Sequence, residues 1–286
     1  MKLDKELQKQ KANYFLELHN APEILILPNV WDAASTKIFE LENFKALGTT
    51  SAGISSVLGY PDGQIMTFDE SLVIIKRIVE STNLPVSVDI EAGYSESVEG
   101  VVETAKKVLE VGTVGINLED SVGGNSNYHS SALYDVHFQC DKISAIREMA
   151  EKENIHLVIN ARTDVFLVSE DNTNNKIEQA VNRANRYKKA GADCIFVPDM
   201  GDLNKSDMTT LVNEIDAPIN IIAGVNAPPI HELEKIGIAR VSFGPRIMRV
   251  AFDLIRSIAK EIKNQGTYTQ FTSGNISYSE VNSWFQ

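Results

Sequence analysis

Cysteine is scarce in this chain of 286 residues: only Cys140 and Cys194 are present. That excludes a disulfide framework and a CxxC metal pair. Long apolar runs are missing as well, and no stretch approaches the ~18 uninterrupted apolar residues of a membrane span. The opening "MKLDKELQKQKANYFLELHN" lacks the apolar centre of a signal peptide and reads as a charged helix. These absences predict a reduced, cytoplasmic protein with no membrane partner. Basic residues are in deficit, 27 against 39 acidic, for a net charge of −12. Nucleic acid is therefore a poor partner, because phosphate binding needs a basic surface. No low-complexity linker divides the chain.

What is there is alternation. Short β-branched runs occur at 24–28, 46–52, 85–91, 114–120, 156–163, 194–198, 218–224 and 239–244. Helical patterns lie between them; "SVEGVVETAKKVLEVG" spaces Val98, Val101, Val102, Ala105 and Val108 along one face. Eight strand–helix units in about 240 residues predict an α/β fold, a (β/α)8 TIM barrel. A doubly wound sheet is the lesser option. We expect one domain over 1–286, with the barrel at about 20–255 and a C-terminal helix and tail over 256–286. Tyr278, Trp284 and Phe285 in that tail suit docking on this subunit or a neighbour, or a frayed end.

In such barrels chemistry gathers at the carboxyl ends of the strands. Those ends carry Asp62 in "GYPDG", Asp89 and Glu91 in "VDIEAGY", then Glu119 and Asp120. Asn160, Arg162 and Asp164 follow, and then Asp199. Side chains alternate along a strand, so Asp89 and Glu91 should share a face, while Glu119 and Asp120 should oppose. Asp62, Asp89, Glu91 and Glu119 together are costly unless protonated or bound to a cation. Oxygen ligands without His or Cys suit Mg²⁺, or Mn²⁺, better than zinc. The competing reading is that each acid caps a helix or pairs with a basic neighbour.

Other positions are weaker. "TSAGISS" places small residues where a strand enters a loop, so the N–H groups around Ser51, Ala52 and Gly53 are candidates for stabilising an oxyanion, or Gly53 simply makes a tight turn. Arg162 offers a planar fork for a substrate carboxylate or phosphonate, or pairs with Asp164. Asp32 is placed as a helix N-cap. Residues 121–139 form a long polar connection suited to a closing lid, with His129 and His137 in it. No lysine stands at a strand end, which disfavours an amine-based aldolase.

In order, "LPNVWDAAS", "TTSAGIS", "GYPDG", "VDIEAGY", "INLED", "INARTD" and "IFVPD" resemble the isocitrate lyase/phosphoenolpyruvate mutase superfamily, especially its phosphonomutase-like branch, over about 20–255. The resemblance implies a (β/α)8 barrel, commonly a homotetramer that exchanges a C-terminal helix. It also implies Mg²⁺-dependent cleavage or rearrangement of a C–C or C–P bond in a small 2-oxo or 2-hydroxy acid through an enolate. By the same resemblance Asp89 is the direct metal ligand, and Asp62, Glu91 and Glu119 reach the ion through water. Ser51, Ala52 and Gly53 surround the substrate oxygen, and Arg162 binds an acidic group, with Asp199 a further candidate in the substrate site. The lyase branch carries Lys-x-Cys-Gly-His in its gating loop, whereas 121–139 holds no cysteine, which points away from methylisocitrate-type cleavage. That lyase, and a non-catalytic barrel that binds a 2-oxo acid, remain the alternatives.

Overall fold

All eight β-branched runs form strands, each shorter than its apolar stretch. The computed structural model describes residues 4–122, 132–168, 173–199, 201, 203–272 and 276–286. The strands are β1 (Leu25–Leu27), β2 (Asn29–Val30), β3 (Leu47–Thr49), β4 (Val86–Asp89), β5 (Gly115–Glu119), β6 (Val158–Arg162), β7 (Cys194–Phe196), β8 (Ile219–Ile222) and β9 (Arg240–Ser242). Every pairing is parallel, and β1 pairs with β9 while β2 pairs with β3. β1 and β2 are two halves of one stave, parted at Pro28, which has no N–H for a ladder. Eight staves thus close a (β/α)8 barrel, and the doubly wound alternative falls away.

Parallel strands covered on both faces must be apolar throughout. Val86, Val88, Ile116, Leu118, Val158, Ile159, Ile195 and Val241 accordingly belong to one continuous buried core. Around them lie α2 (Ala33–Leu41), α3 (Ser51–Leu58), α4 (Phe68–Glu80), α5 (Val98–Glu110), α6 (Val136–Lys152), α7 (Val165–Val168), α8 (Thr173–Lys189), α9 (Lys205–Glu214) and α10 (Ile230–Ile236). Their starts are written in the sequence: Asp32 caps α2 and Thr67 caps α4, each with a reciprocal capping box. The predicted face of α5 buries Val101, Ala105 and Val108.

The opening helix α1 (Lys5–His19) closes the amino-terminal end of the barrel. Phe15 lies so close to β5 that a Cβ at Gly115 would stand 2.7 Å from its ring. His19 reaches the buried Arg240 of β9, 3.3 Å from Nη1.

The chain divides into two compact units, Met1–Gly244 and Pro245–Gln286. The second unit contains α11 (Arg246–Gln265), a 3-10 turn (Thr269–Phe271) and α12 (Tyr278–Ser283). Glu261 ties the turn back to α11 by accepting from Thr267 Oγ1, Thr269 N and Gln270 N. Among the described residues no helix is long and apolar enough to cross a membrane.

Candidate active site

Asp89 ends β4, and its carboxylate is held from two directions. Oδ2 accepts from Ser51 Oγ at 2.9 Å and from the Ser51 N–H at 3.3 Å; Oδ1 accepts from the Glu91 N–H. Ser51 opens α3, so the small-residue stretch enters a helix rather than a loop. Thr50 is its N-cap and accepts from the Gly53 N–H, and Gly53 is buried in the first turn. The tight-turn role for Gly53 is thereby corrected: the run T-S-A-G supplies a cap and a helix start. Ser51, Ala52 and Gly53 still lie beside Asp89, as the first turn of α3.

Glu91 does not follow the strand. β4 stops at Asp89, and Glu91, Gly93 and Tyr94 have φ of +49°, +102° and +56°. Alternation therefore ends two residues before Glu91, and a left-handed turn aims its carboxylate. That turn needs its glycine, because a Cβ at Gly93 would sit 2.6 Å from Val101 Cγ1. Tyr94 Oη donates to Glu91 Oε1 at 2.6 Å, and the Tyr94 N–H donates to Gln64 Oε1 at 2.6 Å. Gln64 links the turn to the Asp62 loop.

The acids feel one another. Burial, then the charge of Asp62, with Asp89 adding, lifts the Glu91 carboxyl to about 8. Burial and Asp89 raise Asp62, whose Oδ1 is buried without a hydrogen-bond partner. Burial raises Glu119 well above the carboxylate range; Arg162 opposes this, while Asp164, Glu91 and Asp89 add to it. Asp62, Asp89, Glu91 and Glu119 thus form a chain of acids, each near enough to act on the charge of at least one other.

One guanidinium stands in ion-pair contact with this group. Register explains it: Glu119 is the cross-strand partner of Arg162, and Nη1 lies 2.9 Å from Glu119 Oε2. Asp164 takes Nε at 2.5 Å and Nη2 at 3.0 Å. Three of the five N–H donors are engaged, which leaves two for a ligand. The salt bridge to Asp164, posed by the sequence as one of two roles for Arg162, is present.

Asp120 faces away from Glu119, as alternation requires. It is fully buried, accepting from Thr163 Oγ1, the Asp164 N–H, Arg183 Nη1 and Tyr187 Oη at 2.7–3.1 Å. Asp164 is thus positioned by Asp120, and Arg162 by Asp164. Arg183 and Tyr187, one turn apart on α8, were not singled out from sequence.

Asp199 is bound to its own loop, one oxygen accepting from the Gly201 and Leu203 N–H groups. Asn160 lies deeper, buried and donating to Asn117. His137 sits on α6 beside Arg186. His129 and most of the long connection, 123–131, lie outside the described residues, but its stem is closed by the antiparallel bridge Ser121–Leu133.

The donor set is oxygen only. Among the described residues no three acidic or imidazole groups come close enough to chelate an ion on their own. Yet Arg162 pairs with Glu119 and Asp164 and lies within reach of the charges of Asp89 and Asp62, and Oδ1 of Asp62 is buried without a partner. Such a donor set suits a hard divalent cation that keeps most of its water.

Comparison with known proteins agrees with this architecture. The family model for phosphoenolpyruvate phosphomutase matches residues 15–263. A 2-methylisocitrate lyase of Halalkalibacterium halodurans is 32% identical over 267 residues, 91% of this chain and 84% of that protein. A structure from Burkholderia cenocepacia J2315, provisionally assigned as a phosphonomutase, superposes with a TM-score of 0.82 at 32% identity, over 89% of this chain and 99% of that one. Oxaloacetate acetylhydrolase bound to oxalate shares the fold, with a TM-score of 0.82 at 20% identity over 96% and 93%. With most of its length matched by that family model, the chain belongs to the phosphoenolpyruvate phosphomutase family of the isocitrate lyase superfamily, whose members are lyases and mutases.

Proposed function

We propose that the protein is a Mg²⁺-dependent enzyme, with Mn²⁺ as a substitute, that breaks or rearranges a C–C or C–P bond in a small 2-oxo or 2-hydroxy acid through an enolate. The observation that carries this is the charge imbalance of the mouth: Asp62, Asp89, Glu91, Glu119 and Asp164 against Arg162, with Asp62 Oδ1 buried and unpartnered. Asp89 would hold the ion directly, and Asp62, Glu91 and Glu119 would hold its water. The bound ion would supply Lewis acidity at the substrate carbonyl. The first turn of α3 would present the Ala52 N–H to the oxygen on which charge collects, since the Ser51 N–H is held by Asp89 and the Gly53 N–H by Thr50. Arg162, fixed by Glu119 and Asp164, offers its two remaining N–H groups to the substrate's acidic end. Tyr94 holds Glu91 and closes one side of the mouth. The homotetramer is part of the same proposal, supported by apolar side chains that α11 leaves exposed, Val250, Leu254 and Ile255 among them.

A substrate panel tests the reaction. Oxaloacetate, phosphonopyruvate and methylisocitrate are incubated with Mg²⁺ or EDTA while pyruvate and phosphate are followed. Turnover of at least one, abolished by EDTA, is expected. Tight binding of 2-oxo acids without turnover would instead make the barrel a sensor, and trapping by borohydride would indicate a Schiff base.

The raised Glu91 carboxyl gives a pH signature. Its folded pKa of about 8 exceeds the ordinary 4.5, so protonation favours the folded state. The stability it contributes is complete below about pH 4.5 and is lost as pH rises through about 8, at up to ~1.4 kcal/mol per pH unit. The melting temperature of metal-free protein should fall from pH 6 to 8, Mg²⁺ should restore more at pH 8 than at pH 6, and Glu91→Gln should flatten the profile. Calorimetric melts across that range check it, and a level wild-type profile would contradict the assignment.

A further inference from the structure

Lys142 of α6 is completely buried, an unusual place for an amine. Its Nζ donates to the Ala92 carbonyl at 3.3 Å and lies over the Tyr134 ring, 4.2 Å from the centroid, with Phe138 at 5.3 Å. Glu119 and Asp120 are near enough to act on its charge, though burial dominates and lowers its pKa to about 8. Within 4.0 Å it has no ion-pair partner among the described residues. A methionine of similar shape would pack against the same rings without the desolvation penalty, since apolar replacement of buried charge is often neutral or stabilising. The amine is therefore not explained by stability of the core.

Its contact with Ala92 supplies the explanation. Ala92 lies in the left-handed turn, between Glu91 at φ +49° and Gly93 at φ +102°. Non-glycine residues are strained at positive φ, and two of the turn's positive-φ residues, Glu91 and Tyr94, are non-glycine. The turn is tied at other points by Gly93 N to Ile90 O, Glu119 N to Glu91 O and Tyr94 N to Gln64 Oε1. The Ala92 carbonyl is held by Lys142, from the side of α6. We propose that Lys142 is a positioning residue whose ammonium, through the Ala92 carbonyl, keeps the Glu91 turn in the conformation that delivers the Glu91 carboxylate to the mouth. The role in turnover rests on the enzymatic reading above; the role in holding the turn does not.

The experiment is made on the 286-residue chain without added metal, comparing wild type with Lys142→Met and Lys142→Arg by hydrogen–deuterium exchange of peptides spanning 89–95. Lys142→Met should melt at or above the wild-type temperature, yet exchange at Gly93 and Tyr94 should speed by about tenfold or more, the scale of one lost charged hydrogen bond. Lys142→Arg keeps a cation able to stack on Tyr134 and should restore most of the protection. With whichever substrate the panel identifies, kcat of Lys142→Met should drop about tenfold while KM changes little. Unchanged exchange over 89–95 in folded Lys142→Met overturns the proposal. So does a collapse of its melting temperature, which would make the amine a strut of α6. If no substrate is turned over by wild type, the enzymatic reading fails and the exchange comparison still decides Lys142.

Discussion

Replacing Asp89 by alanine is expected to abolish Mg²⁺-stimulated turnover, by about 10³-fold or more. Loss of an outer-shell partner alone typically costs 10–100-fold, and of one oxyanion donor ~10²–10³; Asp89 is proposed to touch the ion itself. The carboxylate is prearranged for this, since Ser51 donates to Oδ2 by both Oγ and N–H while the Glu91 N–H donates to Oδ1. Its removal also relieves the like-charge pressure on Asp62 and Glu91. The variant should therefore fold at least as stably as wild type without metal, and its stability should rise less on adding Mg²⁺. Isothermal titration with Mn²⁺ and melts with and without Mg²⁺ separate the two effects. Binding of Mn²⁺ to Asp89→Ala with wild-type affinity would remove Asp89 from the ligand set.

The barrel was legible because its signals are local and repeated: β-branched runs of strand length, amphipathic helices between them, and a cap such as Asp32. The positions of Asp89, Glu119 and Arg162 followed from one topological fact, that strand ends face one rim; Asp62 lies beyond α3, in the connection to α4, and not at the end of β3. Where local geometry departs from the period, inference from the period went astray. Glu91 was placed by alternation that the turn at Glu91–Tyr94 interrupts, though the left-handed turn carries it to the same mouth. The T-S-A-G run was read as a loop because small residues are ambiguous, while Thr50 as a cap was there to be read. Lys142 was missed because a lysine on a helix normally faces water. The signal was its spacing with Gln139, Ile143 and Ile146, which sets it in the buried stripe of α6. Long-range pairs such as Asp120 with Tyr187 have no signature in a single sequence.

Asp120 should give the largest loss of stability. Its carboxylate accepts from four donors on two parts of the chain: Thr163 and Asp164 after β6, and Arg183 and Tyr187 on α8. Burial raises its pKa, as does the charge of Asp164, while the Asp164 N–H, Tyr187 and Arg183 favour the anion. Asp120→Ala would leave a half-buried guanidinium, a buried phenol and a buried backbone N–H without their acceptor. Removing one partner of a buried pair costs roughly 3–5 kcal/mol, which for a chain of this size is about 6–20 °C in Tm. Asp120→Asn keeps the shape and one acceptor oxygen and should cost less than half as much. The functional consequence runs through the backbone: Asp164 loses the anchor of its N–H, and with it the orientation of Arg162. At a temperature where Asp120→Asn remains folded, KM for the acidic substrate should rise more than kcat falls, because Arg162 is assigned to binding. A thermal melt of Asp120→Ala within 2–3 °C of wild type, less than ~1 kcal/mol, would mean that the network is relieved by water and does not hold the Arg162 fork.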